Sequence, residues 1–90
     1  MLFMVIENFK KGSTRKIYQR FDKQGRMTPE RLKHINSWVG VDATRCFQLM
    51  ECEDASLFDK WIETWSDLIE FEVVQVVTSE EAKQKALYDG

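Results

Sequence analysis

Apolar residues along the chain follow two rhythms, runs of strand length and stripes that recur every three or four positions. The run Leu2-Phe3-Met4-Val5-Ile6 is apolar on both parities and built of strand formers. It predicts a central strand over Leu2 to Phe9, covered on both faces and polar only at its exit, Glu7 and Asn8. Gly12 and Ser13 break the run, and Ile17, Tyr18 and Phe21 then recur at helical spacing until Gly25 offers a stop, which predicts a helix of about three turns. Thr28-Pro29-Glu30 places an N-cap residue before a proline at a first helical position, the pattern of one short turn.

Leu32 to Val39 and Arg45 to Cys52 both have strand composition, and Gly40-Val41-Asp42-Ala43-Thr44 between them is a hairpin-length loop. Centred on Asp42, the hairpin pairs Trp38 with Cys46, Asn36 with Gln48 and His34 with Met50 on one mixed polar face. Ser37 with Phe47 and Ile35 with Leu49 then share an apolar face. A slip of one residue would turn one strand's side chains over. Asp54 can cap a following helix, in which Phe58, Trp61, Ile62, Trp65 and Ile69 form a core stripe while Asp59, Lys60, Glu63 and Asp67 face elsewhere. Phe71 to Val77 is a Val-rich strand, and Thr78-Ser79-Glu80-Glu81 has the capping-box pattern of a last short helix ending near Tyr88.

The order strand, helix, strand, strand, helix, strand, with right-handed crossovers, predicts an α+β domain of the ferredoxin-like split βαβ type over residues 1–78. It consists of a four-stranded antiparallel sheet with two helices on one face, followed by a C-terminal helix and tail over 79–90. One sheet face is left bare. With Trp38, Met50 and Val73 placed on that side, a second copy is expected to cover it, making a homodimer through the open sheet face, with or without a cavity between the sheets.

Composition narrows the classes. The 90 residues are 43% hydrophobic and 12% aromatic with one Pro, enough apolar surface to order the chain. A domain of this size buries only about 65% of the surface its unfolded chain exposes, which again favours an oligomer. The longest apolar run, Met1 to Ile6, is far short of the ~18 residues of a membrane span and lacks a signal-peptide pattern, so a cytoplasmic protein without membrane contact is expected. Cys46 and Cys52 on one strand would lie roughly 20 Å apart, too far to bridge, and reduced thiols suit a reducing compartment. The net charge of −2 conceals an asymmetry. Residues 1–45 carry ten Lys/Arg against four Asp/Glu and residues 46–90 three against eleven, or +6 and −8. In a split βαβ fold the two helices lie side by side, so Arg15, Lys16, Arg20 and Lys23 would meet Asp54, Asp59, Glu63 and Asp67.

Met1-Leu2-Phe3-Met4-Val5-Ile6-Glu7, Gly25-Arg26-Met27, Ser37-Trp38-Val39, Arg45-Cys46-Phe47-Gln48-Leu49-Met50-Glu51 and Trp65-Ser66-Asp67-Leu68 together resemble a family of short bacterial proteins known as a domain of unknown function. The likeness runs over residues 1–78 and leaves out the terminal helix. Such proteins look like members of the dimeric α/β-barrel superfamily, which implies the architecture above. That superfamily includes cofactor-independent monooxygenases, muconolactone isomerases, haem-handling proteins and stress-response barrels. Its monooxygenases hold aromatic substrates with polar and aromatic residues on the sheet's inner face, and His34, Asn36 and Trp38 are similar in type. No catalytic role is carried over, because a shared fold does not confer an activity.

The candidate site is therefore His34, Asn36, Trp38, Gln48 and Met50. Trp38 would stack a flat ligand, Asn36 and Gln48 would fix it by hydrogen bonds, and His34 could move a proton near neutral pH. The competing reading is that these side chains satisfy one another or the partner subunit. As an enzyme, the protein would be a cofactor-free oxygenase or isomerase with His34 and Asn36 as proton-handling groups. As a binding protein, it would hold a small apolar or aromatic molecule between the sheet faces. As a plain interaction module, it would have a filled interface. His34 is the one histidine, and a His34/Cys46/Cys52 zinc site would lack a close Cys pair, so no metal and no cofactor are expected. The basic cluster Lys10, Lys11, Arg15, Lys16, Arg20, Lys23 and Arg26 raises nucleic-acid binding. However, Thr44-Arg45-Cys46-Phe47-Gln48-Leu49-Met50-Glu51 lacks the Gly-aromatic signature of RNA-recognition sheets, and nucleic acid is set aside as a partner.

Overall fold

In the computed structural model, which describes residues 1–89, the chain runs β1 (Leu2–Phe9), α1 (Thr14–Gln24), β2 (Lys33–Val39), β3 (Arg45–Glu51), α2 (Leu57–Trp65) and β4 (Ile69–Val76). A terminal α3 (Ser79–Gln84) continues as a π-helical turn over Lys85–Asp89. Gly90 of the predicted tail lies outside the described residues. The sheet order is β2-β3-β1-β4 with every neighbour antiparallel, the ferredoxin-like arrangement. No helix among the described residues is long and apolar enough to cross a membrane.

Strict alternation in β1 buries Phe3, Val5 and Glu7 and leaves Leu2, Met4 and Ile6 half-buried on the opposite face. Phe3 and Val5 pack with Ile17 of α1, Phe58, Trp61 and Trp65 of α2, and Met50 of β3 in a single core. A fully buried aliphatic or aromatic side chain of this kind contributes about 1.5–3 kcal/mol. Phe3 and Phe58 meet edge to face with ring centroids 5.0 Å apart, and Trp61 and Phe71 with centroids 5.5 Å apart, so aromatic contacts tie α2 across β1 and β4. Ile69 extends the predicted helical stripe by spacing alone. The helix ends at Trp65, a Leu68 N–H to Trp65 carbonyl turn (3.0 Å) follows, and Ile69 opens β4.

Local signals at the termini of elements translate unevenly. Asp54 does not cap α2, whose N-cap is Ser56 without a side-chain cap bond; its Oδ1 instead closes a turn before the helix, accepting from the Ser56 N–H at 2.9 Å and the Ser56 hydroxyl at 2.7 Å. Thr78 caps α3, accepting from the Glu81 N–H at 3.1 Å. Thr28-Pro29-Glu30 forms no helix. Instead the Leu32 N–H reaches the Pro29 carbonyl at 3.1 Å and closes a turn. The charge halves meet through one two-pronged pair among the described residues: Arg20 of α1 donates to both carboxylate oxygens of Asp67, at 2.9 and 2.6 Å, and to the Thr64 carbonyl at 3.1 Å.

The hairpin register departs from the predicted one by one residue over half its length. The loop closes on Gly40 and Arg45, with the Gly40 N–H on the Arg45 carbonyl at 2.8 Å, the Ala43 N–H on the Gly40 carbonyl at 2.8 Å, and Ala43 at φ 59°. This four-residue loop is centred between Asp42 and Ala43, where a five-residue loop centred on Asp42 was expected. Val39 therefore faces Cys46, Trp38 faces Phe47, Ser37 faces Gln48 and Asn36 faces Leu49. A bulge at Ile35 takes up the extra residue, and His34 returns to face Met50 as expected.

Candidate functional site

Register sorts the sheet into two chemistries. On the face away from the helices the rows are Trp38-Phe47-Ile6-Glu72 and Asn36-Leu49-Met4-Val74. Under the helices they are Val39-Cys46-Glu7-Phe71 and Ser37-Gln48-Val5-Val73. The predicted five-residue cluster is thereby parted. Asn36 and Trp38 stand on the bare face, Trp38 at 51% exposure, while Gln48 and Met50 point into the helix side at 5% and 0%. His34 shares the Met50 row but sits exposed on the edge strand, its pKa held below the usual value by burial first and then by the Arg26 charge. Met50 and Val73, placed on the bare face by the sequence reading, belong to the core. The four-residue loop and the Ile35 bulge part Asn36 and Trp38 from Gln48 and Met50, whereas Met50 and Val73 lie inward because they pair with Phe3 and Val5 of β1.

A cavity of about 220 Å3 lies between the helix side of the sheet, α1 and α2. Phe9, Tyr18, Phe21, Trp61 and Trp65 give it aromatic walls, and Glu7, Gln48, Arg26, Ser37 and Cys46 bring the polar atoms. Its polar side is a chain of three groups. Arg26 Nε donates to Gln48 Oε1 at 2.9 Å, and Gln48 Nε2 in turn donates to Glu7 Oε2 in a short contact. A guanidinium cannot accept, so Arg26 fixes which end of the Gln48 amide meets Glu7. Glu7 and Gln48 sit one pair out of step on adjacent strands, Glu7 opposite Cys46 and Val5 opposite Gln48, within diagonal reach.

Arg26 is placed by the chain that carries it. The Gly25 N–H caps α1 on the Phe21 carbonyl at 2.7 Å with φ 71°, a backbone region open to glycine, and Met27 follows at φ 59°. The Arg26 carbonyl between them accepts both indole N–H groups of α2, Trp61 at 2.9 Å and Trp65 at 3.0 Å. Its guanidinium stacks over Phe21 at 5.1 Å. The turn at Met27 costs on the order of 1 kcal/mol, consistent with strain held by the surrounding contacts.

The electrostatics follow from burial. Glu7, 5% exposed, has its pKa raised from 4.5 to about 7, because loss of solvent outweighs the Gln48 hydrogen bond and the Arg26 charge, which both favour the carboxylate. Burial first, then Glu7, pushes the Cys46 thiol up to about 11, so it is no nucleophile at neutral pH. The Tyr18 hydroxyl is likewise pushed up, by burial and then by Cys46 and Glu7. The site thus presents a carboxyl group poised between its two states near neutral pH, inside aromatic walls.

A family model described as Domain of unknown function (DUF3303) matches residues 1–87. The chain belongs to the DUF3303 family. The match reaches through α3 into the π-helical turn, past residue 78 where the likeness read from the sequence stops. No curated protein and no solved structure matches the chain.

Of the five candidate site residues His34, Asn36, Trp38, Gln48 and Met50 of this DUF3303 chain, Gln48 alone lines the cavity. Glu7, Tyr18 and Arg26 were missed as site residues. For Glu7 the signal was its parity, since it follows Phe3 and Val5 on the side that packs inward. For Arg26, membership of a basic run concealed a position whose carbonyl ties down α2.

Proposed function

We propose that this DUF3303 chain binds a small, largely aromatic molecule in the cavity between the sheet and its two helices, with Glu7 and Gln48 as the polar anchors. The reading moves the ligand from between two sheets, where the sequence placed it, to beneath the helices. The observation that carries it is the Glu7–Gln48–Arg26 chain opening into an aromatic-walled space. A buried carboxylate is costly to a fold, and a filled core would be the simpler solution at this position. A mostly apolar concavity with a few convergent polar groups is the general form of a small-molecule site.

The bare sheet face supports a second part of the proposal, a homodimer in which two copies cover each other's Trp38, Val74, Phe47, Leu49, Met4 and Ile6. Trp38 at 51% and Val74 at 38% exposure stand in continuous apolar rows, more than scattered surface residues would provide.

Native mass spectrometry of protein purified under mild conditions tests the ligand reading. A small molecule retained by the wild type and released by Cys46→Phe, which fills the cavity, is the expected result. A retained molecule unaffected by Cys46→Phe would contradict it. So would a protein that carries nothing and is not raised in Tm by any member of a set of single-ring compounds.

A further inference from the structure

Within the cavity one strong acceptor is left open. Glu7 Oε2 takes the Gln48 amide, and among the described residues no donor reaches Oε1. No fully buried side-chain oxygen or nitrogen there lacks a partner, so Oε1 borders the cavity and not packed protein. We propose that the ligand is a neutral hydroxylated ring, a phenol or a ring enol, whose O–H donates to Glu7 Oε1 while the ring lies against Tyr18, Phe21, Trp61 and Trp65. This rests on the small-molecule reading above and names its ligand class.

The alternatives fail on charge. An anionic ligand group at Oε1 would face the carboxylate directly. A cationic one would suit the carboxylate and the aromatic walls, but Arg26 already supplies the positive charge, its guanidinium over Phe21 and bonded to Gln48. Burial first and then the Arg26 charge hold the His34 pKa down, so the Arg26 charge is felt as far as the edge strand. A neutral O–H escapes both penalties and makes a hydrogen bond to an ionised acceptor, roughly twice as strong as one between neutral groups. Size agrees: an apolar cavity of about 150 Å3 admits benzene, and 220 Å3 leaves room for ring substituents.

Affinity should depend on pH through Glu7. The titratable or charged groups that face it are Arg26 from the α1–β2 loop, Tyr18 from α1 and Cys46 from β3. His34 of β2 is coupled to Arg26, while α2 and β4 contribute only Trp61, Trp65 and Ile69 to the cavity. Tyr18 and Cys46 stay protonated near neutral pH, both being shifted upward, so Glu7 is the group that changes charge there. As pH rises through about 7 it becomes a pure acceptor, and a phenol with an ordinary pKa of about 10 still keeps its proton.

The test uses the wild-type protein and two isosteric probes, para-cresol and para-xylene, by calorimetry from about pH 5.5 to about pH 8.5, with the indole N–H signals of Trp61 and Trp65 read by NMR to locate binding. At the upper pH para-cresol is expected to bind about 10- to 100-fold more tightly than para-xylene, the gap narrowing as pH falls. In Glu7→Gln, which keeps the shape and removes the charge, both the pH dependence and most of the gap should go. Equal, pH-independent binding of both probes with the Trp61 and Trp65 signals moving would overturn the hydroxyl assignment and leave the small-molecule reading standing. Benzylamine binding more tightly than para-cresol would also overturn it, in favour of a cationic ligand. Silence of Trp61 and Trp65 toward every probe would overturn both.

Discussion

Glu7→Gln should make the protein more stable at neutral and alkaline pH, because the native carboxylate is held where its charge is unfavourable. The pKa of Glu7 rises from 4.5 to about 7 on folding, and each unit corresponds to about 1.36 kcal/mol, so ionised Glu7 lowers stability by about 3 kcal/mol. The sign follows from proton count. Below pH 4.5 both folded and unfolded chains hold the proton and nothing is lost. Between 4.5 and about 7 the unfolded chain releases it while the folded chain keeps it, and stability falls with rising pH until the full loss is reached above 7. Glutamine retains an oxygen to accept the Gln48 amide and has no charge to desolvate. Urea unfolding at fixed protein concentration, followed by tryptophan fluorescence from about pH 4.5 to about pH 8.5, measures the difference. The two proteins should be close at the acid end and part by about 3 kcal/mol at the alkaline end, with the variant the more stable. A difference that does not change with pH, or wild type gaining on the variant as pH rises, would refute the assignment of Glu7 as a buried group titrating near neutrality.

Trp61→Phe removes one of two indole donors from the Arg26 carbonyl and trims a side chain that is 1% exposed, and a loss of about 2–3 kcal/mol in urea unfolding is expected. Trp38→Glu places a charge beside Phe47 at the β2 end of the bare face; light scattering should show twice 10.7 kDa for wild type and 10.7 kDa for the variant, whereas an unchanged mass would remove the bare face from the proposed interface. Cys46, buried and shifted to about 11, should react slowly with Ellman's reagent at pH 8 in the folded protein and rapidly after unfolding, and fast labelling of Cys46 in the native state would contradict its placement.

Element order and fold class were legible because each element carries its own period. The apolar run Leu2 to Ile6 and the stripe Phe58, Trp61, Trp65 could each be recognised without the rest of the chain, although the run hid the alternation that turns Phe3, Val5 and Glu7 inward. The hairpin faces were not legible, since they depend on whether the loop spans four residues or five and on a bulge at Ile35, and neither leaves a mark in composition. That one step carried Trp38 and Asn36 to the bare face and left Gln48 with Glu7. The spacing from Trp65 to Ile69 fits a continuing helix as well as a turn into a strand, so periodicity placed Ile69 wrongly. Arg26 became a site residue through a left-handed turn at Gly25 and Met27 and two indole bonds from a distant helix, contacts that no local pattern announces. The opposed charge halves did indicate the helices' adjacency, although a single pair, Arg20 with Asp67, realises it among the described residues.

The three tryptophans provide the most direct test of the central claim, that a small aromatic molecule sits beneath the helices at Glu7. Trp61 and Trp65 line the cavity with their N–H groups on the Arg26 carbonyl, and Trp38 stands on the opposite face of the sheet. Nitrogen-15 NMR of the indole N–H groups during titration with para-cresol should move the Trp61 and Trp65 signals in a saturable way and leave Trp38 in place. Movement of Trp38 alone, or of none of the three, would contradict the account.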